Sequence, residues 1–523
     1  MAAAVLETRR LHLLLETRML GINVLGRLSR ETDLDIDDLL ISFLTKPPFT
    51  TSQVEHAAVR AVQQLIQRGR PTAPFSSLVA KKLRSCAPLG KKALLTSLLS
   101  LRELADDAVV SAVCHLLSHA LPGLRAAAVE ALKCTVSLST PGIVRAVAAC
   151  LSDVDYEVRY GAIEFLQGVV KRGDQVAVEA VSVYLGHQWD DVHRAAVSLL
   201  KAFVDQHTMH IVVSYLKSAN PHMRVCILHT LRQLVEEADE ATLSAIRAQL
   251  CDDVEEVRAA ALKALGRLAR RGDRTSLEAV LASLETSSVD VLAEAVNAIM
   301  RLALVGDSKA MKAVVGQLNH EDASYRVLVV QAFKYLLTLE DESSTLALRS
   351  MLKDESADVR RACLSVMQRM LDIGDESQAT VFAVVQCLQD PDDDVRVAAV
   401  EAAYSFPVMS KSLCLSALHV MSSFLLFNDS DVRRVTLMAI KAIAKKNDLK
   451  GHDGAIFAVK ACLQDERVGV QISAFETLEV LVGEAEALTA NDSTGIPGAG
   501  HSSGVWDSLM RDLVSTGDDE EDV

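Results

Sequence analysis

Aromatic residues are scarce in this chain of 523 residues: they make up 4% of it, although apolar residues make up 50%. Alanine, leucine and valine must therefore fill the interior, and this mix favours closely packed helices. Eleven prolines and 24 glycines are too few for an all-β chain with many turns. The composition predicts an all-α protein.

Signals for membranes, secretion and disulfides are also missing. No apolar run reaches the roughly 18 to 20 residues that a bilayer span needs, and the N-terminal segment lacks a signal-peptide core. The ten cysteines include no CxxC pair, so we expect free thiols, mostly buried, in a cytoplasmic protein. Organelle import is the alternative, because Arg9 and Arg10 are typical of transit peptides, whereas Glu7 and Glu16 are not.

A pattern of acidic turn, Val-Arg, small residues and leucine recurs along the chain, as in residues 155–166 and 253–265. The second position of the Val-Arg pair recurs mostly at steps of 34 residues. It falls at Arg125, Arg159, His193, Arg224, Arg258, Leu292, Arg326, Arg360, Arg396, Arg433 and Gln471. Looser copies at 54–65 and 90–101 bring the prediction to about thirteen units within residues 46–483, with degenerate ends.

Each unit is predicted to contain two helices. The first opens with an acidic N-cap, because a carboxylate accepts the free N–H groups of the first turn: Asp174, Asp239, Asp273, Asp307, Asp341 and Asp375. The second starts at the Val-Arg pair and carries a small residue in the stripe that faces the next unit: Ala128, Ala162, Ala196, Ala261, Ala295, Ala399 and Ala474. Larger residues complete this stripe: Leu132, Leu166, Leu200, Leu231, Leu265, Ile299, Phe333 and Met367.

These motifs resemble HEAT repeats. The tetratricopeptide and ankyrin signatures are absent, whereas an aspartate followed by Val-Arg and a helix of small residues is similar to the HEAT pattern. The short step of 34 residues looks most like the HEAT-like repeats of phycobilisome lyases. The resemblance implies an α-solenoid superhelix of about thirteen HEAT-like helix pairs, an architecture that proteins of many functions share.

The arginines at the Val-Arg position are interpreted as structural. Each follows an acidic turn that can supply charge-assisted hydrogen bonds, for example Asp155 to Arg159 or Asp358 to Arg360. A partly buried arginine needs such partners. We therefore do not include these arginines among the site residues.

Motifs for catalysis are missing as well: the chain has no HExxH, P-loop, GxSxG or zinc-ligand spacing. The HEAT-like enzyme deoxyhypusine hydroxylase builds a di-iron site from several His-Glu dipeptides, and this chain has one, His320-Glu321. Two helix-spaced pairs lack further ligands nearby: His115 with His119, and His207 with His210. We expect no cofactor, no metal and no catalytic residue.

The resemblance to lyases leaves an enzyme as the alternative function. A relative of the bilin lyases or hydroxylases would be an enzyme subunit that handles a prosthetic group. Cys86 and Cys251 lie near turns, but a lone cysteine without a nearby cation or helix N-terminus is more often inert. We therefore favour a non-catalytic scaffold or adaptor, such as an assembly factor.

The exposed face of the second helices, which lines the concave side in HEAT-like arrays, is the predicted binding surface. Basic residues recur there nine or ten positions after the valine: Lys201, Arg232, Arg267, Arg301, Lys334, Arg369 and Lys441. This basic ridge would suit an acidic protein segment, and the alternative is an ordinary solvated helix face. A net charge of −15 and few aromatics argue against nucleic acid.

The two ends differ from the repeats. Residues 1–45 are predicted to form an N-terminal helical cap, residues 484–504 a flexible linker rich in Gly and Ser, and residues 505–523 an acidic tail. In the tail, four apolar residues share one helical face: Trp506, Leu509, Met510 and Leu513. They predict a short docking helix that binds another protein or the chain's own groove, and the alternative is a solubilising segment.

Overall fold

The computed structural model describes residues 16, 20–22, 34–44, 52–69, 71–135, 140–286, 288–339, 341–375, 377–406, 411–447 and 453–482. Every regular element in these residues is an α-helix or a short 3-10 helix, which confirms the predicted all-α solenoid class. The chain divides into two compact units, Met1–Leu268 and Ala269–Val523.

In the first unit, odd-numbered helices are the first helix of a repeat and even-numbered helices the second. They are α1 (Leu34–Phe43), α2 (Ser52–Gln67), α3 (Ala73–Ser85), α4 (Pro88–Leu98), α5 (Asp107–Leu116), α6 (Pro122–Thr135), α7 (Pro141–Ala149), α8 (Tyr156–Val169), α9 (Gln175–Ser182), α10 (Asp190–Phe203), α11 (Met209–Ser214), α12 (Pro221–Leu234), α13 (Glu240–Ala248) and α14 (Glu255–Leu268). From α4 to α14, each second helix packs on the second helix of the next repeat.

The second unit continues the same alternation. Its helices are α15 (Arg274–Ala282), α16 (Val289–Leu302), α17 (Ser308–Val315), α18 (Ala323–Leu336), α19 (Glu342–Ser350), α20 (Ala357–Asp372), α21 (Gln378–Gln386), α22 (Asp393–Tyr404), α23 (Lys411–Phe424), α24 (Ser430–Asn447), α25 (Asp453–Ala461) and α26 (Val468–Val482). Within it α16, α18, α20, α22, α24 and α26 pack in series. In the part of the chain that the structure describes, the helices form thirteen pairs, in agreement with the predicted number.

The predicted boundaries of the solenoid, at residues 45/46 and 483/484, lie outside the described residues, as do the linker and the acidic tail. Helix α1 contacts both α2 and α3, so the helix within the predicted N-terminal cap pairs as the first helices do. None of the described helices combines the length and apolar character that crossing a bilayer would require.

The apolar stripe of the second helices forms the core, as predicted. All seven alanines at the small position are fully buried, and the eight larger residues of the stripe expose at most 1% of their surface. Small side chains let adjacent second helices approach closely, while the larger ones fill the space between helices. The stripe is therefore buried only because the next repeat covers it.

Acidic N-caps open the first helices at five of the six predicted positions. Asp174, Asp239, Asp273, Asp307 and Asp341 each accept a hydrogen bond from a backbone N–H of the first turn. The prediction for Asp375 was wrong: Ser377 is the N-cap of α21, and Asp375 accepts a hydrogen bond from the amide of Ser377. The repeat is longer here, with a step of 36 residues from Arg360 to Arg396 in the Val-Arg series, so the aspartate lies two residues ahead of the cap.

Replacing Asp307 with alanine should destabilise the second unit by about 1 kcal/mol, because the Asp307 carboxylate accepts hydrogen bonds from the amides of Lys309 and Ala310 at 3.1 and 3.0 Å. Chemical denaturation would measure the difference in unfolding free energy. Asp307→Asn is the control, since asparagine caps helices about as well as aspartate. Equal stability of the alanine variant and the wild type would show that the cap contributes nothing.

Turn glycines connect successive repeats. The amide of Gly306 donates to the carbonyl of Leu336 at the end of α18 (2.8 Å), and Gly173 and Gly272 make the same bond to Phe203 and Leu302. Gly306 has a φ of 80°, which favours glycine, and a Cβ there would lie 3.1 Å from Thr338. The bond therefore ties the end of one second helix to the turn that follows the second helix of the preceding repeat.

The arginines at the second position of the Val-Arg pair are called the ladder arginines. Arg258 and Arg396 pair with acids three residues earlier, as predicted, but the partners predicted for Arg159 and Arg360 were wrong. Arg159 pairs with Asp191 rather than Asp155, and Arg360 pairs with Asp390 rather than Asp358. In each case the carboxylate belongs to the following repeat. Bidentate or close pairs of this kind join Arg125 to Asp153, Arg224 to Asp252, Arg326 to Asp354, Arg360 to Asp390, and Arg433 to Asp465.

Each of these arginines also holds its own inter-helical turn. Nη1 of Arg360 donates to the carbonyls of Asp354 and Glu355, six and five residues earlier, at 2.9 and 3.1 Å. At two positions where the ladder residue is not arginine, a related contact occurs: Gln471 donates to the carbonyl of Asp465, six residues earlier, and His193 contacts the carbonyl of Leu185, eight residues earlier. One side chain thus fixes the turn of its own repeat and the position of the next.

The pairs between ladder arginines and aspartates predict that the fold is less stable in acid. Burial alone would raise the pKa of Asp354, but the hydrogen bonds from Arg326 and the Ser356 amide, with the charges of Arg326 and Arg360, outweigh it and lower the pKa. The folded state then binds fewer protons than the unfolded state, so this stability is present at neutral pH and is lost as the pH falls below about 4. The same direction holds for Asp153, Asp252 and Asp465.

Urea unfolding at pH 6 and at pH 3 would measure this loss. The expected unfolding free energy is lower at pH 3, and Asp354→Asn should reduce its dependence on pH because asparagine does not titrate. An unfolding free energy that is the same at both pH values would contradict the prediction.

Nine cysteines fall within the described side chains, and all nine are free thiols. Five are buried, and burial raises the pKa of Cys150 and Cys387 to about 12. Such thiols stay protonated and inert. Cys86, Cys114 and Cys226 are half-buried and Cys251 is exposed, so the expectation of burial holds for five of the nine.

Candidate functional site: the exposed face of the second helices

A shallow cleft of about 650 Å³ crosses the exposed face of α18, α20 and α22 in the second unit. Its floor is made of small apolar residues: Ala323, Val327, Ala362, Val397 and Ala398. Polar side chains line its length: Ser324, Gln331, Ser356, Ser365 and Gln368. Four charged residues complete the α18/α20/α22 cleft: Asp358, Arg361, Asp394 and Glu401.

Carboxylates dominate the charge of this cleft. Arg361 lies between two of them: its Nη2 donates to Asp358 at 2.6 Å and its Nη1 to Asp394 at 3.3 Å. Glu401 adds a third carboxylate from α22. Asp358 and Asp394 keep 69% and 76% of their side-chain surface exposed, so the network is solvated and contributes little to stability. These groups remain available to a bound chain.

Several second helices, among them α16 and α20, carry acids at their N-terminal ends and bases at their C-terminal ends. In α16 the first turn holds Asp290 and the last turn Arg301; in α20 the corresponding residues are Asp358 and Arg369. This order is favourable for each helix, because its N-terminal end carries partial positive charge and its C-terminal end partial negative charge. These helices therefore display acids at one end and the residues of the predicted basic ridge at the other.

In the first unit, the structure places Lys201, Arg232 and Arg267 in the last turns of α10, α12 and α14. Lys201 and Arg267 are exposed, whereas Arg232 is half-buried and its Nε, among the described atoms, has no hydrogen-bond partner. Lys133 of α6 occupies the same position and forms ion pairs with Glu130 and Glu164. Lys133 was not among the residues predicted for the basic ridge.

In the second unit, Arg301, Lys334 and Arg369 lie in the last turns of α16, α18 and α20, which pack in series. Arg301 and Arg369 are exposed. Lys334 donates to the hydroxyl of Ser365 in the cleft at 2.7 Å, and Lys441 pairs with Glu476 of α26 at 2.8 Å. Arg301 and Arg369 are thus the ridge residues of this unit best placed to contact a partner.

The predicted docking residues of the tail, Trp506, Leu509, Met510 and Leu513, lie outside the described residues. The acidic row and the cleft were not predicted from the sequence. The feature of the sequence that could have predicted them is the acid two residues before the ladder position, as in Asp358 and Asp394. Its recurrence marks an exposed row as clearly as the recurring bases do.

Among the described residues, no group of three or more His, Cys, Asp or Glu side chains comes together in a way that could hold a metal ion. His320 lies in the turn before α18, where its Nδ1 accepts a hydrogen bond from the backbone N–H of Asp322 and its ring packs edge-on against Tyr325 at 4.6 Å. His210 contacts the carbonyl of His207 at 2.6 Å. These histidines have local structural partners.

Paired helices and an exposed polar face of second helices define a helical-repeat protein of the α-solenoid class. A family model described as HEAT repeats matches residues 110–201 and 311–405, and a HEAT repeat model matches residues 243–271. The matches support the resemblance to HEAT repeats that the Asp and Val-Arg pattern predicted. The narrower likeness to phycobilisome lyases stays a prediction.

Solved structures that resemble the chain include karyopherins. Kap121p bound to RanGTP has a TM-score of 0.47 and 13% identity over 94% of this chain and 55% of its own. Kap95p with RanGDP has a TM-score of 0.43 and 13% identity over 87% and 69%, and importin beta has 0.41 and 12% over 90% and 74%. No curated protein matches the chain in sequence.

Proposed function

We propose that this protein is a non-catalytic scaffold or adaptor that binds protein partners along the exposed face of its second helices. The observation that carries the proposal is the row of exposed charged side chains beside a cleft that spans three successive second helices, α18, α20 and α22. A shallow surface with an apolar floor and hydrogen-bonding walls suits an extended polypeptide, which can be contacted at many weak points.

The partner segment is proposed to be acidic where it meets the basic ridge. Arg301 and Arg369 are exposed, and their guanidinium groups favour carboxylates because they can form two parallel hydrogen bonds. The chain's own acidic tail, residues 505–523, has the same chemistry and is the intramolecular candidate for this position. In that arrangement the tail would compete with the partner.

Charge reversal on the ridge tests this function. Arg301→Glu with Arg369→Glu should weaken binding of the physiological partners about tenfold or more, and added salt should weaken the wild type in the same direction. The matched control, Arg274→Glu with Lys312→Glu, makes the same charge change on the first helices of the same unit. Quantitative affinity purification would compare the proteins retained by each variant.

Retention of the same partners at the same level by both double variants would contradict the role of the ridge. For the tail, the full chain with Trp506→Ala and Leu509→Ala should lose a partner if the tail docks on another protein. If the tail instead competes for the ridge, the variant should gain affinity for the acidic partner. An unchanged set of partners and unchanged affinities would contradict both forms of tail docking.

The purified protein also tests the enzyme alternative. A stoichiometric pigment or iron, seen by absorbance and metal analysis, would overturn the scaffold proposal in favour of a subunit that handles a prosthetic group. The proposed compartment is the cytoplasm, which the nine free thiols support. Fluorescent tagging at the C-terminus would detect organelle import.

A further inference from the structure

Aromatic side chains are concentrated on one surface of the first unit. The chain has two tryptophans and seven tyrosines, yet Tyr156, Tyr160, Tyr184 and Trp189 all fall within residues 156–189. Three of them are exposed: Tyr156 by 66%, Tyr160 by 50% and Trp189 by 36%. In a chain with an aliphatic core, exposed Tyr and Trp side chains gathered in one place indicate a contact surface.

These three residues form what we call the aromatic platform. The rings of Tyr156 and Tyr160 stack with centroids 6.1 Å apart. The guanidinium of Arg159 lies 5.7 Å from the centroid of Tyr156 and 5.6 Å from that of Trp189, so it bridges the two rings. His187 supports Trp189 edge-on at 5.1 Å. Residues from α8 and from the turn before α10 thus build one surface.

Arg159 holds this platform in place and has little bonding capacity left for a ligand. Its Nη1 donates to the carbonyls of Asp153 and Val154 at 2.8 and 3.0 Å, and its Nη2 donates to Asp191 at 2.6 Å. The positive charge is neutralised by Asp191 across the repeat boundary. The rings are therefore pre-organised, which lowers the entropy lost when a ligand binds.

Carboxylates surround the platform. Glu157 and Asp190, in the first turns of α8 and α10, are both exposed. Of the nearby bases, Arg125 is paired with Asp153, Lys133 is paired with Glu130 and Glu164, and Nε of Arg194 donates to the carbonyl of Asp190 at 3.3 Å. Residues 153–159 and 190–194 together hold five acids and two arginines. An approaching ligand therefore meets exposed rings and excess negative charge.

We propose that the aromatic platform binds an arginine-containing, extended segment of a partner protein. A guanidinium can stack on an exposed ring face, where the quadrupole of the ring attracts cations, and can reach the carboxylates of Glu157 or Asp190. An acidic segment would meet like charge, and a proline-rich segment would leave the carboxylates unused. The inference rests on the proposed scaffold role, but it names a surface distinct from the basic ridge.

Platform and ridge lie at opposite ends of the second helices. Trp189 directly precedes α10, whereas Lys201 lies in its last turn. Lys201 comes twelve positions after Trp189, which corresponds to about 18 Å along the helix axis. A single partner with a basic stretch and an acidic stretch could contact both surfaces, and two partners could contact them independently.

Tryptophan fluorescence gives a direct test in the full chain. Trp506→Phe leaves Trp189 as the only tryptophan, so its emission reports contact at the platform. The probes are synthetic 12-residue peptides of repeating Arg-Gly-Ser, with Lys-Gly-Ser, Glu-Gly-Ser and Pro-Gly-Ser peptides for comparison. We expect a saturable change in Trp189 emission with the arginine peptide, several-fold weaker binding of the lysine peptide, and none of the acidic one.

Two variants in the Trp506→Phe background test whether the peptide binds at the platform. Tyr156→Ser should weaken binding of the arginine peptide about tenfold, and Glu157→Gln with Asp190→Asn should weaken it and reduce its salt dependence. Tyr335→Ser, which changes an exposed tyrosine of the second unit, is the matched control and should bind as the parent does. Circular dichroism and thermal unfolding would show that the variants keep the parent fold.

Other outcomes would overturn the inference. Unchanged Trp189 emission with the arginine peptide, or equal affinity in the Tyr156→Ser variant, would place any binding elsewhere, such as the acidic tail. Preference for the acidic or proline peptide would show that the partner chemistry is wrong. Arginine-peptide binding is expected to persist in Arg301→Glu with Arg369→Glu, because the ridge is a separate surface, so either proposal can fail without the other.

Discussion

The Arg360→Ala variant is expected to be about 3–5 kcal/mol less stable than the wild type. Arg360 keeps 9% of its surface exposed, and both of its hydrogen bonds to Asp390 measure 2.7 Å. Without it, Asp390 remains a buried carboxylate with no counter-charge from the preceding repeat, and the carbonyls of Asp354 and Glu355 lose their donor. Both consequences fall on the junction of two repeats, where nearest-neighbour contacts determine stability.

The adjacent residue is a matched control. Arg361 also forms ion pairs with two aspartates, but its side chain is 49% exposed, so Arg361→Ala should cost at most about 1 kcal/mol. Chemical denaturation followed by circular dichroism would compare the two variants. If both are destabilised equally, the ladder pair is worth no more than a surface ion pair.

A double replacement separates pairing from burial. Arg360→Met with Asp390→Leu removes both charges and leaves apolar side chains, so it should recover most of the loss, because the buried carboxylate is no longer unpaired. Failure to recover stability would indicate that the hydrogen bonds to the turn carbonyls, rather than the ion pair, are the main contribution of Arg360.

Loss of the Phe333 ring is expected to have a similar effect, about 3–5 kcal/mol. Phe333 lies in the buried stripe of α18 and is 1% exposed. Its removal leaves a cavity next to the second helices that pack on either side, α16 and α20. Because the backbone of stacked helices relaxes only partly, both the transfer free energy and the cavity add to the cost.

Tyr335→Ala is the control for Phe333→Ala. The two residues are close in α18, but Tyr335 is 49% exposed, so its loss should change stability by about 0.5 kcal/mol or less. Hydrogen exchange of α18 and α20 would show whether the loss in the Phe333 variant is local to these repeats. Equal protection in wild type and Phe333→Ala would contradict a packing role.

Periodicity is a local property, so much of the architecture could be predicted from it. The step of 34 residues, the small residue such as Ala162 and the larger residue such as Leu166 identify two helices per repeat and the face that each buries. Capping is also local, which is why most acidic N-caps were predicted correctly. Asp375 was not, because a longer repeat moved the cap to Ser377.

Contacts between repeats could not be read from the sequence in the same way. Arg159 has acids on both sides of it in the sequence, and only the stacked helices select Asp191 of the next repeat over the nearby Asp155. The aromatic platform has the same origin, since Tyr156 and Trp189 belong to successive repeats and meet around Arg159 only when α8 and α10 pack.

The sequence by itself therefore determined the helical class, the repeat and its register, and the identity of the core stripe, because hydrophobic spacing along one chain specifies which face of each helix is buried. Tertiary structure alone decided the partners of the ladder arginines, the cleft of α18, α20 and α22, and the aromatic platform. Each of these depends on which residues of neighbouring helices come into contact, and that follows from the packing geometry of the helices.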